Sequence, residues 1–198
     1  SRQLLIAFLS IIIALGLSMI MIAAMGVSPA RAMSSLISGA LGSKNAIAET
    51  VKKEYPEAEA LFGTSTAGIA HAAIAGHILG MPMGYVRGSS KDHGRNNKIE
   101  GKLEPGTKVV VVEDLISTGG SVIEVVDALR EAGAEVLGVA SIFTYGMKKG
   151  LDRLLEANVK NISLTDFDTV AEVAAEDGYI AKEDIERLKN FRNNPSDE

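Results

Sequence analysis

Two adjacent carboxylates and a turn of small residues lie side by side in the stretch VVVVEDLISTGGS, residues 109–121. Glu113 and Asp114 follow four consecutive valines, and residues 117–121 open the next run with helical periodicity. Backbone amides at a helix N-terminus attract an anion because the peptide dipoles point their positive ends there. Glycine lets the backbone approach that anion closely. We therefore predict a phosphate cradle at residues 117–121, beside two acids that suit hydroxyl groups or a divalent cation.

Together these groups describe a site for a sugar phosphate. The phosphate would lie on the amides of the turn, and the ribose hydroxyl groups would lie on Glu113 and Asp114. The turn lacks the lysine and the spacing of a nucleotide P-loop, and it lacks the glycine pattern of a dinucleotide site. A simpler interpretation is a capped strand-to-helix turn without a ligand. The two acids directly after a four-valine strand favour the binding site.

Two further loops are expected beside this turn. The segment GTSTAG, residues 63–68, joins a strand to a helix through small residues, and RGSSKDHGRNNKIEG, residues 87–101, is long, polar and basic. Open parallel sheets bind ligands beyond the carboxyl ends of their strands, so the three loops should meet there. Taken alone, the polar loop could simply be solvated.

The elements that would position these loops alternate along the chain from residue 45. Helical patterns occur at 45–55, 69–80 and 121–134, and two more after residue 166. Strand-like runs occur at 58–63, 83–88, 108–115, 135–145 and 161–166. The run at 108–115 is continuously apolar up to its acids, which is typical of a strand buried on both faces. This alternation predicts an α/β fold with a central, mostly parallel sheet flanked by helices.

Composition excludes several classes of protein. The chain has 198 residues, a formal net charge of −5 and no cysteine. A nucleic-acid-binding surface is not expected, because there is no basic excess to neutralise phosphates. Without cysteine there is no disulfide, thiolate metal site or cysteine nucleophile. The three histidines are too few for a histidine-rich metal site.

The quoted segments resemble a known enzyme family. VVVVEDLISTGGS resembles the phosphoribosyl diphosphate signature of the type I phosphoribosyltransferases, and KDHG followed by IEG resembles the mobile catalytic loop of orotate phosphoribosyltransferases. GTSTAGIAHAA and VLGVASIFTY are similar to further segments of these enzymes in their Gram-positive form. The resemblance begins at about residue 54 and implies the type I phosphoribosyltransferase fold, with a small hood over the base.

The resemblance also implies a reaction. Orotate and 5-phosphoribosyl 1-diphosphate would give orotidine 5′-monophosphate and pyrophosphate, a step of de novo pyrimidine synthesis. Mg²⁺ would be the cofactor, held mainly through the substrate rather than by direct protein ligands. By family analogy, Arg87, Lys91 and His93 would act on the pyrophosphate, and the catalytic residues would be Lys91, His93 and Asp114. The resemblance further implies a homodimer with a shared active site in the cytoplasm, with no nucleic-acid or membrane partner.

Individual contacts are implied in the same way. The residues expected to bind the sugar diphosphate are Arg87, Lys91, His93, Glu113, Asp114, Leu115, Ile116, Ser117, Thr118, Gly119, Gly120 and Ser121. The loop expected to face the pyrophosphate through its backbone comprises Thr64, Ser65, Thr66 and Ala67. Ala67 stands where some relatives carry lysine. Ser117 lies where the family contacts orotate.

Two other functions stay open. A phosphoribosyltransferase for a purine base would keep EDLISTGGS but would not need KDHG. A non-catalytic regulatory protein on the same fold would bind the sugar diphosphate or a nucleotide without turnover, and Lys91 and His93 argue against it.

The N-terminal segment differs from the rest of the chain. Residues 4–27 carry no charge and are long enough to cross a bilayer as a helix, and the start of the chain also resembles a secretory signal. The family has a lysine and aromatic residues in its hood, but here the corresponding run is MIAAMGVSPARAMS. Three interpretations are a divergent hood, a membrane anchor or export signal, and a stretch whose letters depart from the gene.

We favour a segment that belongs to the domain, because phosphoribosyl diphosphate is a cytosolic substrate and no linker separates the apolar run from the rest. The predicted organisation is a single domain over residues 1–198. It would comprise an atypical N-terminal helix and hood segment at 1–45, a core at 46–165 and C-terminal helices at 166–198.

Overall fold

The computed structural model of the chain describes residues 45–88 and 98–193, together with Ala23, Ser28 and Ala30. The chain divides into two compact units, Ser1–Lys44 and Asn45–Glu198. Apart from Ala23, the apolar run at 4–27 lies outside the described residues, as do Lys91 and His93. None of the described helices is long and apolar enough to cross a membrane. The single-domain organisation stays a prediction.

Strands and helices alternate within Asn45–Glu198. The strands are β1 (Ala60–Thr64), β2 (Met83–Val86), β3 (Ile99–Glu100), β4 (Lys108–Ile116), β5 (Glu135–Thr144) and β6 (Asn161–Asp166). The helices are α1 (Ala46–Glu54), α2 (Ala67–Leu79), α3 (Gly120–Glu131), α4 (Lys148–Glu156), α5 (Phe167–Glu176) and α6 (Asp184–Asn193). Every element predicted after residue 45 is confirmed. Strand β3 and helix α4 were not predicted.

The six strands form one sheet in the order β3-β2-β1-β4-β5-β6. All neighbouring pairs are parallel except β2 and β3, which are antiparallel. The predicted mostly parallel sheet is therefore confirmed. Strands β1 and β4 lie at its centre, so the segments that follow them emerge side by side.

Strand β4 is covered on both faces, as its continuous apolar run predicted. All four of its valines are fully buried. Val109 and Val111 pack in the cluster that contains the apolar side chains of α3, whereas Val110 and Val112 pack in the cluster that contains those of α1 and α2. Neighbouring residues of a strand point to opposite faces, so four consecutive apolar residues stabilise both layers at once.

Helix α2 begins directly after β1 and lies against β4. A Cβ atom on Gly68 would lie 2.4 Å from Oγ1 of Thr64 and 2.4 Å from the carbonyl oxygen of Val112. No side chain fits there, since real Cβ atoms essentially never come closer than 3.0 Å to such atoms. This close approach places the loop after β1 beside Glu113.

We expect Gly68→Ala to lower the free energy of unfolding by roughly 1–3 kcal/mol, because the methyl group would overlap a backbone oxygen in the paired centre of the sheet. Urea denaturation measures the change. Gly88→Ala is the matched control, because no atom of the described residues lies within 4 Å of the added carbon, and its effect should stay within about 0.5 kcal/mol. Equal stability of the two variants would contradict the close packing of α2 on β4.

Candidate active site

An open cleft lies at the edge of the sheet where β1, β2 and β4 end. The loop after β1, the end of β2 and the first turn of α3 form its walls. The lining residues are Thr64, Ser65, Val86, Arg87, Gly88, Lys98, Ser121, Glu124 and Val125. The structure thus brings together parts of all three loops that the sequence placed at this edge.

Glu113 is buried in the second half of β4, with 4% of its surface exposed. Its Oε1 accepts hydrogen bonds from Oγ1 of Thr64, at 2.5 Å, and from the backbone amide of Asp114, at 3.0 Å. Burial, and then the neighbouring Asp114 carboxyl, raise the pKa of Glu113 to about 7. Glu113 therefore titrates near neutral pH and joins β4 to the loop after β1.

Asp114 lies in a different environment from its neighbour. It is only partly buried, whereas Glu113 is almost fully enclosed. Of the two acids that the sequence assigned to ribose hydroxyls, Asp114 is therefore the one that a ligand can reach directly. Glu113 supports it from behind, because the Asp114 amide donates to the Glu113 carboxyl.

The predicted phosphate cradle lies at the start of α3. Gly119 is the N-cap, with φ of +72°, and no side chain caps the helix. The first turn of α3 also has no acidic residue. Free amides at a helix N-terminus need acceptors, so this end of α3 suits an anion. Gly120 and Ser121 provide the first residues of the helix.

Leu115 and Ile116 connect the acids to this cradle. The side chain of Leu115 is 41% exposed, whereas that of Ile116 belongs to the core. The carbonyl of Ile116 accepts a hydrogen bond from the amide of Tyr145 at 2.9 Å. Direct contacts of Leu115 and Ile116 with the sugar diphosphate stay a prediction.

The hydroxyls of Thr64, at the end of β1, and of Ser65, just after it, are bound to the protein, whereas Thr66 is exposed. Thr64 donates to Glu113, and Oγ of Ser65 donates to the carbonyl of Val86 at 2.6 Å. The peptide bond between Ser65 and Thr66 is cis. Ala67 is the first residue of α2. A ligand would therefore meet this loop through its backbone, as the sequence predicted for the pyrophosphate, and through the exposed side chain of Thr66.

Arg87 lies at the end of β2, on the opposite wall of the cleft from α3. Its Nη2 is 2.6 Å from Oε1 of Glu100, and its amide donates to the carbonyl of Lys98 at 2.8 Å. The segment that carries Lys91 and His93 therefore begins and ends at the cleft.

Sequence reasoning missed two residues that the structure brings to this edge, Lys98 and Glu124, and the side-chain role of a third, Thr64. Thr64 was expected to offer only its backbone, but its hydroxyl binds Glu113 across 49 residues of sequence, for which no local pattern gives a signal. Lys98 lines the cleft and forms no ion pair with any residue in the described part of the chain. Glu124 lies one turn beyond Gly120, and helical spacing could have indicated that it shares the cleft with Ser121.

The raised pKa of Glu113 predicts a pH dependence of stability. The unfolded chain loses this proton near the ordinary value of 4.5, whereas the folded protein keeps it until about 7. The stabilising contribution is complete below the lower value and is lost as pH rises through the higher one, because the folded state binds the extra proton between them. We expect wild type to lose stability relative to Glu113→Gln between pH 5 and pH 8.

Urea denaturation of both proteins at the two pH values gives this comparison. Glu131→Gln, at an exposed position on α3, is the control and should follow wild type. Parallel stability profiles for wild type and Glu113→Gln would show that Glu113 titrates in its ordinary range.

Of the two adjacent carboxylates, only one is placed to bind a magnesium ion. Mg²⁺ prefers oxygen ligands and usually binds one or two carboxylates together with substrate phosphates and water. Asp114 provides one partly exposed carboxylate, whereas Glu113 is enclosed and already hydrogen-bonded. No group of three or more histidine and acidic side chains that could hold a metal occurs in the described ranges.

Comparison with known proteins identifies the family. Residues 30–177 match the phosphoribosyl transferase domain. Over 150 residues, 76% of this chain, the sequence is 53% identical to an orotate phosphoribosyltransferase of Bacillus cytotoxicus, and the match covers 71% of that protein. The chain belongs to the orotate phosphoribosyltransferase family. A second relative with this name, from Listeria innocua, is 52% identical over 149 residues, covering 75% of this chain and 71% of that protein.

A solved structure of an orotate phosphoribosyltransferase shares the fold. The enzyme from Aeropyrum pernix has a TM-score of 0.60 and 28% sequence identity, and the superposition covers 66% of this chain and 72% of the other. The type I phosphoribosyltransferase fold and the resemblance to orotate phosphoribosyltransferases are therefore confirmed. The three loops that form the cleft all lie within residues 30–177.

Proposed function

We propose that this protein transfers the phosphoribosyl group of 5-phosphoribosyl 1-diphosphate to orotate, giving orotidine 5′-monophosphate and pyrophosphate in pyrimidine synthesis. The observation that carries this proposal is the position of Glu113 and Asp114, in the second half of the central strand β4, which leads through a short turn into the uncapped N-terminus of α3. Orotate is favoured as the base because the relatives that are 53% identical to the chain carry its name.

The sugar phosphate would lie between the acids and α3. The amides of Thr118, Gly119, Gly120 and Ser121 bind the 5′-phosphate, and Asp114 accepts hydrogen bonds from the ribose hydroxyls. Ser117, between these groups, contacts orotate. Glu113 holds Asp114 in place and adds negative potential behind it.

The reaction breaks the bond between the anomeric carbon and a pyrophosphate oxygen and forms a bond to a ring nitrogen of orotate. Positive charge develops on the ribose ring while negative charge develops on the leaving pyrophosphate. Fixed charges close to these positions lower the barrier because they need not reorient during the reaction. Asp114, with Glu113 behind it, stabilises the ribose end.

Cationic residues stabilise the pyrophosphate end. Arg87, Lys91 and His93 carry this role, together with the backbone of residues 64–67. Arg87 and Glu100 are 60% and 39% exposed in their ion pair. Exposed pairs contribute little to stability, so Arg87 can leave Glu100 for the diphosphate.

Neutralisation of the leaving pyrophosphate is what bound Mg²⁺ would supply. Asp114, the more exposed of the two adjacent acids, could reach such an ion directly or through water, and the substrate would provide most other ligands. A homodimer with a shared active site, a single domain and a cytoplasmic location belong to the same proposal, by resemblance to the family.

Pyrophosphate release tests the proposed function. The full-length protein is supplied with Mg²⁺ and 5-phosphoribosyl 1-diphosphate, and orotate, uracil, adenine and xanthine are offered separately. We expect turnover with orotate. Turnover with adenine or xanthine instead would support phosphoribosyl transfer but show that the base is a purine rather than orotate. Binding of the sugar diphosphate without turnover of any base would favour a regulatory protein.

A further inference from the structure

Helix α4 packs against the back of the turn that precedes α3. A Cβ atom on Gly150 would lie 2.5 Å from the carbonyl oxygen of Ser117, so only glycine lets the helix come this close. Nη1 of Arg153 donates a hydrogen bond to the carbonyl oxygen of Thr118 at 2.9 Å and lies 3.5 Å from its Oγ1. Two consecutive carbonyls of the turn therefore face one helix.

The direction of these carbonyls determines where the following amides point. In a planar trans peptide the C=O group and the next N–H group point in opposite directions. Because the carbonyls of Ser117 and Thr118 face α4, the amides of Thr118 and Gly119 face away from it. Successive amides that point the same way form a concave anion site. Gly119, the N-cap with a φ of +72°, then joins these amides to the first turn of α3.

The guanidinium of Arg153 also brings charge to this site. No carboxylate within the described ranges forms an ion pair with it, so the phosphate would not compete with an acid for this charge. Its Nη1 lies 3.1 Å from the position that a Cβ atom on Gly120 would occupy, which places the charge at the first turn of α3.

We propose that Arg153 is a positioning residue for the 5′-phosphate. It holds the Thr118 carbonyl so that the amides of Thr118 and Gly119 face the phosphate, and it adds positive potential beside them. This inference rests on the proposed function, which supplies the sugar phosphate.

Substitution of Arg153 separates this role from simple attachment of α4. We expect Arg153→Gln to weaken binding of ribose 5-phosphate by roughly ten- to a hundredfold, because the Thr118 carbonyl loses its charged hydrogen-bond donor and the phosphate site loses a nearby positive charge. The KM for 5-phosphoribosyl 1-diphosphate should rise by a similar factor, while the KM for orotate should change less than about threefold. Arg153→Lys, which keeps the charge, should recover part of the affinity. Calorimetry and steady-state kinetics give these values.

Arg130→Gln is the matched control. Arg130 also donates to backbone carbonyls after a helix, those of Ala157 and Asn158, at 2.8 and 3.3 Å. A loss of attachment alone would lower stability in both variants and leave ribose 5-phosphate affinity unchanged. Arg153→Met, which keeps the aliphatic length, replaces Arg153→Gln if that variant does not fold.

The outcomes distinguish this inference from the proposed function. Wild-type affinity for ribose 5-phosphate in folded Arg153→Gln or Arg153→Met would overturn the role of Arg153 and leave the proposed function intact. If wild type binds ribose 5-phosphate but releases no pyrophosphate with any base, the proposed function fails, while reduced affinity of the variant still supports the inference. If wild type does not bind ribose 5-phosphate, the phosphate cradle is wrong and both fail.

Discussion

Asp114→Asn is expected to reduce kcat/KM for 5-phosphoribosyl 1-diphosphate by roughly a hundredfold or more. The substitution removes the charge of the acid that a ligand can reach, and it replaces one hydrogen-bond acceptor with a donor. The substitution should also lower the pKa of Glu113, because the Asp114 carboxyl contributes to its raised value. A larger ionised fraction of Glu113 would then restore part of the lost negative charge. Initial rates with varied sugar diphosphate, and calorimetry with ribose 5-phosphate, measure the result.

Asp127→Asn makes the same chemical change on the exposed side of α3 and serves as the control. Its kinetics should match wild type, and both variants should unfold at similar urea concentrations. Unchanged affinity and turnover in Asp114→Asn would show that Asp114 does not bind the ribose and that other groups bind the ribose hydroxyls.

Lys91→Ala is expected to lower kcat by about two to three orders of magnitude, because the ammonium group would balance the charge of the leaving pyrophosphate. The segment that carries Lys91 starts and finishes at the cleft, where the Arg87 amide binds the Lys98 carbonyl. The free energy of unfolding should stay close to that of wild type. Single-turnover measurements would separate slower chemistry from weaker binding.

Lys102→Ala provides a comparison just beyond the same segment. Lys102 is 83% exposed and pairs with Glu104 outside the cleft, so its loss should leave turnover unchanged. If Lys91→Ala retained wild-type kcat, Lys91 would have no catalytic role, although KDHG resembles the catalytic loop of the family.

Continuous apolar runs and small-residue turns made the centre of the fold predictable from sequence. Four valines predicted a strand buried on both faces, and the glycines after them predicted the turn into α3. Strand β3 has only two residues, too few for a recognisable pattern. Helix α4 buries only Gly150 and Leu154, so it has a very short apolar stripe.

Parts of the candidate site depend on contacts that local sequence does not indicate. The two acids are adjacent in the sequence, but in the fold Glu113 is buried and Asp114 is partly exposed. The buried carboxyl of Glu113 accepts a hydrogen bond from Thr64, 49 positions away. In the same way, Arg153 reads as a polar residue of an amphipathic helix, and its contact with Thr118 joins positions 35 residues apart. Only the packing of distant elements reveals such partners.

The central place of β4 has a consequence for amide hydrogen exchange. This strand pairs with β1 on one side and β5 on the other, and its valines are fully buried. Such amides exchange only in openings that approach global unfolding, whereas short edge strands open locally. The acids should therefore lie next to the slowest-exchanging amides of the protein, and Arg87 should lie close to much faster ones in the two-residue edge strand β3. The sugar would then bind to a rigid surface, and pyrophosphate would leave past the edge that opens most readily.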